Sequence, residues 1–115
     1  MTHQAPPLPP SAGADPGRQH AQLREALRLV ERIAGRTSTA EAGLDEAARL
    51  SAAYERALPV AQRRFDALAA ETAIWAAAGV EALLIAGQIT PPRAAAGRLA
   101  DSLGRALSEL ETILR

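Results

Sequence analysis

From Leu44 onward, steps of three and four residues alternate through Ala47, Ser51, Tyr54, Leu58, Ala61, Phe65, Leu68, Thr72, Trp75 and Gly79, a mostly apolar stripe whose phase never slips. Such a stripe is the core face of an amphipathic helix. A strand cannot produce it, because side chains on a strand alternate faces with a period of two. Composition agrees: 48% of the 115 residues are hydrophobic but only 3% aromatic, so the apolar content is mainly Ala and Leu, which with Arg and Glu are strong helix formers. The expectation is an all-α chain forming one small domain over residues 15–115.

Local signals divide that chain. Asp15 followed by Pro16 reads as an N-cap and first-turn proline, and Leu23, Leu27, Val30 and Ala34 continue the helical spacing until Gly35, giving a first helix over about 16–35. Ser38-Thr39-Ala40-Glu41 has the capping-box pattern of a second helix start. Pro59 would ordinarily stop that helix, yet no Gly, Asn, Asp or Ser lies between Ala52 and Arg64 to make a turn, and the stripe ignores the proline. The expectation is therefore a long helix over about 39–87, kinked near Leu58, with a break at Pro59 and a four-helix up-down bundle as the alternative. Gly87 and Thr90-Pro91-Pro92 mark a stop and restart, and the last helix covers about 91–114. Three helices of this kind pack as an antiparallel bundle with coiled-coil-like seams. The opening MTHQAPPLPPSAGA, residues 1–14, has no periodicity and no signal-peptide pattern, so a Pro-rich extended tail and a cytoplasmic chain are expected.

With the stripe labelled a and d, the opposite f column reads Arg49, Arg56, Arg63, Ala70, Ala77 and Leu84. The outer face loses its arginines halfway along. A helix apolar all round belongs in an interior, and two other short helices cannot surround it. A membrane interior is not expected, because Glu81 near the centre of the apolar run costs on the order of 3 kcal/mol on insertion scales and Ala is only weakly hydrophobic. Burial by a second copy is expected instead, as a dimer or higher homo-oligomer. The residues expected to meet there are Trp75, Val80, Leu83, Leu84 and Ile85 of the long helix with Leu99, Leu103 and Leu110 of the last. Glu81, at a c position, should lie at the edge of that contact and stay partly wet.

Arg24, Arg28, Arg32 and Arg36 follow at i+4 steps and form a basic ridge on the first helix, a candidate dock for an acidic protein partner or, less favoured, for nucleic acid phosphates. Thirteen basic residues balance thirteen acidic ones, and Glu25, Glu31, Asp45, Glu46 and Glu55 lie on the ridge's own helix or the next, so intramolecular pairing competes. His20 invites comparison with histidine phosphotransfer bundles, but it lies in the first turn and no glycine follows in register. No Glu-x-x-His pair offers a metal site, there is no Cys, and no nucleophile can be nominated. The expectation is a non-enzymatic helical adaptor without cofactor or metal, which self-associates and binds a protein partner. Its alanine-rich plan is similar to that of many bacterial adaptors in architecture only.

Overall fold

The structure, a computed structural model, describes residues 15–37 and 44–115; the Pro-rich segment and the Ser38–Glu41 capping pattern lie outside the described residues. Among the described residues the chain is all-α, with helices α1 (Pro16–Ile33), α2 (Leu44–Arg56), α3 (Pro59–Ala86) and α4 (Arg93–Ile113).

The boundaries of α1 follow from its end residues. Asp15 is the N-cap, its carboxylate accepting from the amides of Gly17 and Arg18, and Pro16 fills the first position, where a missing N–H costs nothing. At the other end Gly35 takes φ 78, the Gly35 amide donates to the Arg32 carbonyl and the Arg36 amide to the Glu31 carbonyl. Those two bonds are a Schellman cap, which only a left-handed residue permits at low cost.

The long helix expected over 39–87 is two helices. Leu58 is extended, with φ −66 and ψ 151, because the ring of a following proline disfavours the helical region, and Pro59 opens α3 as its first residue. A continuous helix would have lost a hydrogen bond there at about 3 kcal/mol. It would also have held Tyr54 and Phe65 roughly 16 Å apart along its axis. Instead their rings meet edge to face at 5.7 Å. The corner is tied on both sides: the Tyr54 hydroxyl donates to the Asp66 carboxylate at 2.9 and 3.0 Å, and Gln62 Nε2 donates to the Tyr54 carbonyl at 2.7 Å. The Tyr54 carbonyl also accepts from the Ala57 amide at 3.1 Å, so one oxygen holds both the last turn of α2 and the first turn of α3.

α1 is the centre of the assembly, packing against all three other helices, while α4 packs against α1 and α3. Paired ends give the directions. His20 near the start of α1 meets Glu111 near the end of α4, and Arg36 just past α1 meets Asp101 in the first half of α4, so these two helices are antiparallel. α3 and α4 are joined by the short turn after Ala86, with Leu99 seated where Gly79 has no side chain. α2 approaches the start of α1 most closely at Gly17, where an added Cβ would run into the Ala47 carbonyl. The start of α4 departs from expectation: the helix opens at Arg93 and not at about 91, with Pro92 before it and no side chain capping it.

The core joins Leu23 and Val30 of α1, Leu50 of α2, Phe65, Ala69, Ala76 and Leu83 of α3, and Leu103, Leu107 and Leu110 of α4. At 23 Å in its shortest dimension the body is about two helices thick. A helix in such a layer is covered on one side only, which leaves the opposite side of α3 to be explained.

Candidate functional site

The inward side of α3 is built from Phe65, Ala69, Thr72, Ala76 and Leu83, all buried against α1 and α4. On the other side a surface helix normally carries charge. Here the outward side carries Ile74, 73% exposed, with Leu84 and Ile85, more than half exposed, set among exposed Ala67, Ala70, Ala77 and Ala78. Only 22% of the most apolar eighteen-residue window of α3 is buried. Glu81 is exposed, but helical phase puts it in line with Ile74, within this surface and not at the edge where it was expected.

The residues expected at an oligomer contact divide into two groups. Leu83, Leu103 and Leu110 are buried in the chain's own core and have no surface left to offer, which corrects their assignment to an interface. Trp75 and Leu99 are half-buried against that core, and Val80 is half-buried beside a groove described below. Leu84 and Ile85 remain exposed. Ile74 was missed by following only the f column; it lies in the neighbouring c column with Ala67 and Glu81, next to the g column of Arg64, Glu71, Ala78 and Ile85, and the three columns together form one face. Val60 in the first turn of α3 is exposed in the same c column, and Ile89 is exposed in the turn after the helix.

Beside the face, α1 and α3 diverge into a groove of about 720 Å³, walled by Leu23, Ala26 and Leu29 of α1 and by Ala73, Val80 and Leu84 of α3. Gln19 lines it too, and among the described residues its buried carbonyl oxygen accepts no hydrogen bond.

The arginine ridge is neither continuous nor unpaired. α1 ends at Ile33, and the Schellman turn carries Arg36 off the helix toward α4, where Nη1 donates to Asp101 at 2.9 Å. Gly97 makes room for that guanidinium, since an added Cβ would lie 3.1 Å from it. The Asp101 carboxyl is held below its ordinary value by the Arg36 hydrogen bond and charge. Arg28 donates to Glu25 at 2.6 Å, and Arg24 lies 3.6 Å from Glu46. Arg32 stays exposed on α1. Arg24 and Arg36 thus tie α1 and its C-terminal turn to α2 and α4, while Arg28 pairs within α1.

His20 is buried although it lies in the first turn of α1. It is 1% exposed, and its Nε2 lies 2.9 Å from Glu111 Oε2. A phosphoryl donor could reach that nitrogen only by breaking this bond and uncovering the ring. Next to it, the Ser51 hydroxyl donates to the Asp15 carboxylate at 3.0 Å while the Gly17 amide donates to the same hydroxyl oxygen at 3.2 Å. The Asp15 carboxyl is lowered from its ordinary value, first by Ser51 and then by the Arg18 and Gly17 amides. These contacts lock α1 to α2 and α4. Among the described residues no three His, Asp or Glu side chains converge as metal ligands.

Comparison of the chain with protein-family models, with curated proteins and with solved structures gave no match. What the chain does has to be argued from its surfaces, and the outer face of α3 is the one that departs furthest from an ordinary surface helix.

Proposed function

We propose that the chain is a non-enzymatic helical interaction module that self-associates through the outer face of α3. The observation that carries this is the exposure of Ile74, Leu84 and Ile85 on a 28-residue helix whose inner face is already fully used. Burying one such side chain gains on the order of 1.5–3 kcal/mol, and contiguous exposed apolar surface of this kind marks contact sites.

By length and composition α3 would also qualify to cross a membrane. Against that use, Phe65, Thr72, Ala76 and Leu83 would have to leave the core they share with α1 and α4. Association face to face keeps the core intact and covers only what is exposed. A nucleic acid role for the arginine ridge has less support, since Arg24, Arg28 and Arg36 each face a carboxylate of the same chain.

Sedimentation velocity over a range of concentrations tests the proposal. The native chain should shift from monomer to a larger species as concentration rises, and Leu84→Glu should shift that transition upward by tenfold or more with helicity unchanged. A native chain that stays monomeric at every concentration would remove the basis for the proposal.

A further inference from the structure

Self-association through α3 leaves open how two copies lie on each other. Resting on that proposal, we infer that the partner is a second copy of this chain whose α3 runs antiparallel to the first, with Arg63 of each copy opposite Glu81 of the other.

The helix geometry supplies the register. An ideal α-helix drifts by about 20° per heptad, so a residue in the f column near the start of α3 and one in the c column near its end come to point the same way. Arg63 and Glu81 are such a pair: five full turns separate them, roughly 27 Å along one line of the surface. Both are exposed. The ion pairs among the described residues involve neither of them.

In a parallel pair equal numbers meet, so Arg63 would face Arg63 and Glu81 would face Glu81, and like charges at a contact disfavour it. Turning one copy round a two-fold axis near the middle of α3 sets each Arg63 against the partner's Glu81, twice by symmetry. The same register sets Val60 beside the partner's Ile85, Ile74 beside the partner's Ala70, and Ala67 beside the partner's Ala78. Each of the two pairs nearest the two-fold then contains an alanine, which lets the two axes approach to about 8 Å there. Each Arg63–Glu81 pair then lies between the central alanine contacts and an outer Val60–Ile85 contact, where a shifted register would leave the charges unpaired.

The chain has no cysteine, so single cysteines report the arrangement directly. Ala67→Cys and Ala78→Cys are made separately, both at exposed positions on small residues. In the antiparallel register oxidation should cross-link the two variants when mixed and neither alone, because each position lies roughly 15 Å or more from its own copy along the axis. A disulfide needs Cα atoms within about 7 Å. Cross-linking of each variant alone would overturn the register while leaving self-association standing. A native chain with the mass of a monomer overturns self-association itself, and one that instead sediments with phosphatidylcholine–phosphatidylglycerol vesicles shows that the face meets lipid. As a second measurement on the native dimer, Arg63→Glu should weaken association roughly tenfold, and adding Glu81→Arg should restore it. A dimer indifferent to Arg63→Glu overturns the paired charges.

Discussion

α3 and α4 lie side by side in one hairpin and share one core, yet their outer sides differ. α4 buries Ala96, Ala100, Leu103, Leu107 and Leu110 and turns Arg98, Asp101, Arg105 and Glu109 outward, as a helix bordering water does. α3 buries a similar stripe and turns Ile74, Ala77, Ala78 and Ile85 outward. Both stripes satisfy the same folding requirement. The difference is therefore not needed to make the fold, and the self-association proposed above would account for it.

That contrast can be broken by substitutions on the two sides of α3. The largest effect is expected at Phe65→Ala, which opens a cavity at a fully buried site and removes the Tyr54 ring contact; urea denaturation should show a loss of about 3–5 kcal/mol. Thr72→Val should act in the opposite direction. Thr72 is fully buried, and among the described residues its hydroxyl oxygen has no hydrogen-bond partner, so an apolar replacement of similar shape should stabilise by about 1 kcal/mol in the same assay.

A control outside the contrast comes from the lock between α1 and α2. Ser51→Ala should cost about 1 kcal/mol at neutral pH. It should also change the acid limb. Because the folded Asp15 carboxyl is lowered, its contribution is complete above the ordinary value of 3.8 and is lost as pH falls through the lowered one. Removing Ser51 removes the main cause of that lowering, so thermal melts of native and variant chains should converge as pH drops below that range. Smallest of all should be Ile74→Ala: measured at a concentration where the chain is monomeric, its stability should change by no more than about 0.5 kcal/mol, because the side chain is mostly in water. A large loss at that dilution would mean that the outer side of α3 already belongs to the fold.

The ends of α1 were legible because their signals are local: Asp15-Pro16 and Gly35 each act within one turn. The corner at Leu58 was not. Proline has the same identity whether it kinks a helix or begins one, and the connecting pair Ala57 and Leu58 keeps the apolar phase on both sides, so periodicity alone could not register a reversal. What reveals the break is the long-range meeting of Tyr54, Phe65 and Asp66. The candidate contact was legible in part. The loss of arginines from the outer face located it on α3, but Leu83, Leu103 and Leu110 look the same in sequence whether their own chain or a partner buries them. The arginine ridge was legible only as a spacing: i+4 steps show that charges share a helix side and say nothing of the carboxylates that Arg24, Arg28 and Arg36 meet.

The most direct test of the outer face of α3 is the solution mass by light scattering of the native chain and of Ile74→Glu. The native chain should have about twice its 12.0 kDa monomer mass, and Ile74→Glu should return to 12.0 kDa with its circular dichroism unchanged. A native mass of 12.0 kDa at all concentrations, or an Ile74→Glu chain as large as the native one, would contradict the account.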